Sequence, residues 1–267
     1  MLLFTNHNIL HSLKKQALFV CFFISFNSLL SQNNLVINGG FDNIKNCPTY
    51  HSQIDSAYNW FQPIRQVSTS DLYNSCSIAW VSVPQNIMGV QSPLSNNGYS
   101  GIAFYTRNYP NGREYIETKL SSPLKKDYTY CVEFYVSLAD TTNYAISSIG
   151  AYFSIDSVVI DNLPNNYLIS VVPQIQNDSL SIVSDKMGWT KISGNFIAKG
   201  GEEFMTMGNF YDDSYTTKNY TQVSNYPDLP PNTFTSQAAY YYIDTVSVYA
   251  FDSQLVKEPK DTTFVFI

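Results

Sequence analysis

The stretch YCVEFYVSL, residues 130–138, alternates between apolar positions and mixed ones. Val132, Phe134, Val136 and Leu138 share one side of an extended chain, because alternate side chains of a strand point the same way. The residues between them are mostly polar or amphipathic. The pattern predicts a β-strand that packs one apolar face against a core.

The same two-residue period recurs in short segments that are separated by turn-forming residues. No segment of any length has the 3.6-residue period of an amphipathic helix. Short strands at this spacing predict an all-β protein, either a sandwich or a barrel. The other predicted strands cover residues 78–83, 101–105, 114–120, 149–155, 190–198, 203–210 and 239–249.

Composition narrows the class of protein. The 267 residues include 15 Lys and Arg against 21 Asp and Glu, a net charge of −6. An acidic chain is a poor match for the phosphate backbone, so we expect no nucleic-acid partner. Only 13% of the residues are charged, whereas 15% are aromatic, which is typical of extracellular β proteins.

The N-terminus has the pattern of a secretory signal. Two lysines precede the apolar run 17–26, and Leu29, Leu30 and Ser31 follow it, with the small Ser31 at the expected cleavage site. We expect residues 1–31 to be a cleaved signal peptide. The run is short for a membrane anchor, and a lipoprotein through Cys21 is a further alternative. This predicts a secreted or cell-surface protein, in the periplasm or on the outer membrane, without a transmembrane segment after cleavage.

Removal of that signal leaves three cysteines. In an oxidising compartment, one bridge and one spare thiol is the simplest arrangement. Cys47 and Cys76 lie in loop-like surroundings and are the preferred pair. Cys131 lies in a strand pattern and is expected to be a buried thiol.

The first polar stretch, NNLVINGGFD at residues 33–42, predicts a short strand over 35–37 that ends in two glycines. Gly39 and Gly40 can adopt positive φ at little cost, and they let another backbone approach closely. We therefore expect a bulge here.

Residues 34–42 and 240–248 resemble the first and last strands of galactose-binding-like jelly rolls, including carbohydrate-binding modules of secreted glycosidases. Residues 188–198, a Trp followed by an alternating strand, resemble the penultimate region of that family. Residues 112–140 are similar to N-terminal domains of Bacteroidetes surface proteins that carry OmpA-like or gliding and sorting domains.

The resemblance implies a single jelly-roll β-sandwich over residues 32–250. Residues 251–267 would then be a linker or tail, leading to a further C-terminal domain or docking back as an edge strand. It also implies a polysaccharide or cell-wall glycan as ligand, with other envelope proteins as possible partners.

A calcium site is expected between the first and last strands. Tyr242, Asp244, Val246 and Val248 share a face, and an ionised carboxylate there is costly unless it is paired or bound to a cation. In the resembling modules, acidic residues at the positions of Asp42 and Asp244 hold a structural calcium. The alternative is a turn residue at Asp42 and a carboxylate at Asp244 that binds nearby backbone.

A sugar site needs aromatic faces and planar hydrogen-bonding groups. Trp60 lies in a polar loop, Tyr105 and Arg107 follow one another at a strand end, and Tyr115 is on the polar face of the next strand. We expect these four to face the ligand. The alternative for Trp60 is plain packing, and Trp80 and Trp189 are assigned to the core or to strand support.

Catalysis is not expected. Only His51 remains after signal cleavage, and nothing beside it resembles a nucleophile elbow. The pairs 202–203 and 212–213 are sequence neighbours, which point to opposite faces of a strand. The sequence predicts a non-catalytic glycan-binding module, or alternatively a structural or adhesion domain of a larger envelope protein without a sugar site.

Overall fold

The computed structural model describes residues 33–64, 69–159, 168–221 and 237–251. The predicted signal peptide, and all of the predicted tail except its first residue, lie outside these ranges. The described strands are β1 (Trp60–Phe61), β2 (Asp71–Asn74), β3 (Gln85–Asn86), β4 (Gly89–Val90), β5 (Gly98–Thr106), β6 (Ile116–Lys119), β7 (Thr129–Leu138), β8 (Tyr144–Ile146), β9 (Gly150–Ser154), β10 (Ile175–Gln176), β11 (Thr190–Ile197), β12 (Phe204–Gly208), β13 (Lys218–Tyr220) and β14 (Ala238–Ala250).

Two five-stranded antiparallel sheets face each other. The first has the order β1-β6-β12-β9-β10, and the second has the order β11-β7-β14-β5-β2. Two small two-stranded sheets, β13-β8 and β3-β4, accompany them. The predicted all-β jelly-roll sandwich is confirmed.

The core lies between the two large sheets. The alternation of strand β7 is as predicted, with Val132, Phe134, Val136 and Leu138 all buried. They pack against apolar side chains of the first sheet, including Met205 of β12. The two-residue period therefore predicts correctly both that this segment is a strand and which of its side chains are buried.

The predicted strand over residues 78–83 is wrong. Ala79–Val81 form a single 3-10 turn instead. Val81 is buried, whereas Ile78 is 85% exposed and Trp80 is 51% exposed, so Trp80 is not a core residue. A single buried side chain, Val81, can fix a loop against a sheet. A half-buried strand needs several apolar side chains at alternate positions.

The stretch 33–42 crosses the last strand, β14. The Leu35 N–H donates to Val248 O at 2.9 Å, and the Val246 N–H donates to Gly39 O at 2.9 Å. The predicted strand over 35–37 is reduced to one isolated bridge at Val36. The positive φ expected of the glycines falls on Phe41, at 57°.

The predicted disulfide is confirmed. Cys47 and Cys76 are bonded, with an S–S distance of 2.08 Å, and the bridge joins the loop before the first 3-10 turn to the loop after β2. Cys131 is not a free thiol, which corrects the expectation of a spare one.

Candidate functional site

Three of the four predicted ligand residues are buried, Trp60 and Tyr115 most completely. Trp60 is 1% exposed, stacks on Phe41 at 4.7 Å between ring centroids, and donates from Nε1 to Asn38 O at 2.8 Å. It therefore packs the N-terminal segment against the sandwich. The ligand-facing prediction for Trp60 is wrong, and the packing alternative is correct.

Tyr115 is also wrongly predicted as ligand-facing, since it is 0% exposed. Its hydroxyl donates to Asn209 O at 2.7 Å and accepts from the Ile169 N–H at 3.1 Å. The outer face of the first sheet carries its own apolar layer, to which Tyr115, Ile64 and Phe210 belong. Tyr115 does lie on the face that the sequence pattern predicts to be exposed, but a loop covers that face instead of solvent.

The other two predicted residues lie together at one end of the sandwich. Tyr105 is near the end of β5 and Arg107 follows that strand. Strands β8 and β13 pair beside them, with Tyr144 opposite Tyr220. We call the surface formed by Arg107, Tyr144, Lys218 and Tyr220 the edge strip.

The edge strip holds two tyrosine rings beside a guanidinium. The rings of Tyr144 and Tyr220 meet edge to face, with centroids 5.7 Å apart and planes at 86°. Arg107 Nη1 donates to the Tyr144 hydroxyl at 3.2 Å. Tyr220 is 68% exposed, so its ring is open to a ligand, while Tyr144 is half-buried beneath it.

Tyr105 supports this strip and does not face a ligand, which corrects the prediction for it. Only 6% of Tyr105 is exposed, and its ring lies 5.1 Å from Lys218 Nζ and 5.5 Å from the guanidinium carbon of Arg113. Burial, and secondly the charge of Asp213, raise the pKa of Tyr105. The ring holds two cations in place by cation–π attraction.

Sequence reasoning missed Tyr144, Lys218 and Tyr220. Both of their strands are three residues long. Such short elements carry no readable period, and nothing local pairs residue 144 with residue 220. The only available signal was a Tyr at the end of each short segment, in a chain with 21 Tyr.

The predicted calcium ligand Asp244 is surrounded by hydrogen-bond donors. Its Oδ2 accepts from the N–H groups of Leu94 at 2.8 Å and Ser95 at 3.0 Å, and its Oδ1 accepts from the Thr245 N–H at 2.6 Å. Burial raises the pKa of Asp244 to about 6, against these hydrogen bonds, which lower it. Asp244 therefore matches the alternative, a carboxylate that binds nearby backbone.

Asp42 binds the same loop as Asp244, residues 94–97. Its Oδ1 accepts from the Asn97 N–H at 2.8 Å, and its Oδ2 from the Asn96 amide at 2.7 Å. Calcium takes six to eight oxygen ligands, whereas here N–H donors point at both carboxylates. Within the described ranges, no three His, Cys, Asp or Glu side chains group together as a metal site. The arrangement does not fit calcium, which stays an untested prediction.

A second pair of acidic residues, Asp71 and Glu114, is buried. The Tyr73 hydroxyl donates to Asp71 Oδ2 at 3.3 Å, and the Tyr240 hydroxyl donates to the same oxygen. The Ser52 N–H donates to Oδ1 at 2.6 Å. Burial raises the pKa of Asp71 to about 6, against these hydrogen bonds.

Glu114 is likewise enclosed. Its Oε1 accepts from the N–H and hydroxyl of Thr69, and its Oε2 from the Ala103 N–H at 2.7 Å. Burial, and then the nearby charge of Asp71, raise the pKa of Glu114 to about 7. Protein donors occupy both oxygens of each carboxyl, so this pair has no open side for a substrate.

Comparison by sequence finds no match for this chain. No protein-family model matches the chain, and no curated protein does. In the described ranges, no helix is both long enough and apolar enough to cross a membrane.

Some solved structures are distantly similar. An arabinose-bound GH51 α-L-arabinofuranosidase has TM-score 0.42 and 11% identity over 81% of this chain and 26% of its own. A CBM22-1 xylan-binding domain from Paenibacillus barcinonensis has TM-score 0.38 and 11% identity over 76% and 97%. The K1 adhesin domain of Lys-gingipain from Porphyromonas gingivalis has TM-score 0.37 and 14% identity over 80% and 96%. These values are too low to assign a ligand or an activity to this chain.

Proposed function

We propose that this chain is a non-catalytic glycan-binding module that acts outside the cell, with the edge strip as its contact surface. The observation that carries the proposal is the open ring of Tyr220 beside the Arg107–Tyr144 hydrogen bond. An exposed aromatic ring stacks on the C–H face of a sugar, and a guanidinium donates to sugar oxygens in a fixed plane.

Three of the four residues of the strip, Tyr144, Lys218 and Tyr220, lie on paired strands. Tyr144 and Tyr220 face each other across a paired two-stranded sheet. Strand β8 is fixed in turn to β14, because the Ile146 N–H donates to the Tyr241 hydroxyl at 2.8 Å. A contact surface on rigid strands loses little conformational entropy when a ligand binds.

Location outside the cell is part of the proposal. The signal-like pattern of residues 1–31 and the Cys47–Cys76 bridge support it, since disulfides persist in oxidising compartments.

The test is retention of the full chain on a panel of polysaccharides and bacterial cell-wall material, by affinity electrophoresis. We expect Tyr220→Ala to weaken binding to the retained polymer at least about tenfold, the loss of one stacking contact of ~1.4 kcal/mol. Melting temperatures of the variants report whether folding is preserved.

A matched control is Tyr128→Ala. Tyr128 is 50% exposed and has Lys125 Nζ 5.5 Å from its ring, so it resembles the strip in chemistry. It lies at the opposite end of the sandwich, because β14 pairs with Thr106 at its start and with Tyr130 at its end. Retention of folded protein on no polymer would contradict the proposal and favour the structural or adhesion domain.

A further inference from the structure

Among the described residues, the two cations of the edge strip have no carboxylate partner. The Arg107 guanidinium hydrogen-bonds only the Tyr144 hydroxyl, and Lys218 Nζ donates to the backbone oxygen of Asp213 at 3.0 Å. In contrast, Lys119 and Lys191 are ion-paired on the strands of the two large sheets.

The acidic groups beside the strip are engaged elsewhere. Asp213 Oδ1 lies 2.7 Å from Arg113 Nη2, and its Oδ2 accepts from the Asn111 N–H at 2.9 Å. Asp212 Oδ1 accepts from the Ser214 hydroxyl and N–H, which lower the pKa of Asp212. These carboxylates therefore stabilise their own turns and do not neutralise the exposed Arg107 or the half-buried Lys218.

The local balance of charge is positive on an acidic protein. Among the described residues, the contacts at this end involve three cations, Arg107, Arg113 and Lys218, and two carboxylates, Asp212 and Asp213. The chain as a whole carries a net charge of −6. An anionic polymer would be repelled by most of this surface, so binding would be confined to a place where cations are exposed.

We infer that the edge strip binds an acidic polysaccharide, whose carboxylate or sulfate groups contact Arg107 and Lys218 while Tyr220 stacks on a sugar ring. The inference rests on the proposed function and names its ligand class. Charge-assisted hydrogen bonds from a guanidinium to a carboxylate or sulfate are stronger than those to neutral hydroxyls. An acidic glycan would therefore use the two cations, whereas a neutral glycan would leave them unpaired.

The experiment compares polymers that share a backbone and differ in charge. Binding of the full chain is measured to polygalacturonate and to its methyl ester, and to dextran sulfate and dextran. We expect at least about tenfold tighter binding to an acidic polymer than to its neutral counterpart. The two pairs show whether carboxylate or sulfate is the preferred group. Added NaCl should weaken the interaction.

Two variants assign the effect to the strip. Arg107→Gln and Lys218→Gln should each weaken binding to the acidic polymer by about tenfold. Lys125→Gln, a cation beside a tyrosine at the other end of the sandwich, should leave binding unchanged. Arg107→Lys keeps the charge but removes the planar fork, so it should lie between wild type and Arg107→Gln.

Each other outcome has one meaning. Equal, Tyr220-dependent binding of neutral and acidic polymers would overturn the acidic ligand and leave the proposed function standing. An equal loss in Lys125→Gln would show diffuse electrostatic attraction and overturn the assignment to the strip. Retention of the folded chain on no polymer, including the neutral panel, would overturn both.

Discussion

The backbone of Gly39 lies directly against the backbone of Val246 in the last strand. The Val246 N–H donates to Gly39 O at 2.9 Å, and a methyl group on Gly39 would lie 2.0 Å from Val246 O. Asn34 joins the same contact, because its side chain donates to Val246 O at 3.0 Å and accepts from the Val248 N–H at 2.9 Å. The first segment is thus held to the last strand by hydrogen bonds that only glycine permits.

Gly39→Ala should lower the free energy of unfolding by about 2–3 kcal/mol, because the segment must move and lose some of these hydrogen bonds. Chemical denaturation measures the change. Gly194→Ala is the control, since a methyl there would meet only the flexible end of Ile175, at 3.2 Å. A Gly39→Ala protein as stable as Gly194→Ala would mean that the contact contributes little.

Chelation should not alter stability. Hydrogen-bond donors already satisfy the carboxylates of Asp42 and Asp244, so a cation has no oxygen cage to enter. We expect the melting temperature in EDTA to stay within about 1 °C of its value in calcium. A fall that calcium reverses, and that Asp244→Asn abolishes, would restore the calcium site predicted from the resemblance.

The sandwich could be predicted because its signal is local. Val132, Phe134 and Val136 need only their two-residue spacing to show which side is buried. The same logic failed for Tyr115, which has the right spacing for an exposed face. Loops cover that face in the structure, and no short-range pattern reports what a distant loop covers.

The edge strip could be predicted only in part. Tyr105 and Arg107 lie at the end of a readable strand, so their position at one end of the sandwich followed from sequence. Tyr220 did not, because its place depends on pairing with Tyr144, a contact between two very short strands. Trp60 was misplaced for a different reason: a polar sequence context does not show that Phe41 packs on the ring.

Removing the Cys47–Cys76 bridge should cost about 3–4 kcal/mol, because it closes a loop with a sequence separation of 29. Chemical denaturation of a Cys47→Ala, Cys76→Ala double variant and of wild type measures this contribution of the bridge to the free energy of unfolding. Reducing agent is a poorer test, since Cys131 is not free either. Equal stability of the double variant and wild type would show that the unfolded chain is compact around this loop without the bridge.

The buried acidic pair should make stability fall as pH rises. Burial raises the pKa of Asp71 from 3.8 to about 6 and that of Glu114 from 4.5 to about 7. The folded state therefore binds protons more tightly than the unfolded chain. Its stabilisation is complete below about pH 4 and is lost as pH rises through 6 to 7. The loss is on the order of 3 kcal/mol for each group.

The free energy of unfolding, measured by denaturant between pH 4 and 8, tests this. In an Asp71→Asn, Glu114→Gln double variant, neither amide ionises, so the free energy of unfolding should depend less on pH than in wild type. The stability of the variant relative to wild type should therefore increase as pH rises. Asp244, whose pKa burial also raises to about 6, contributes the same trend to both proteins and cancels in the difference. Parallel profiles for wild type and the double variant would mean that Asp71 and Glu114 titrate normally, and so that water reaches them in the folded protein.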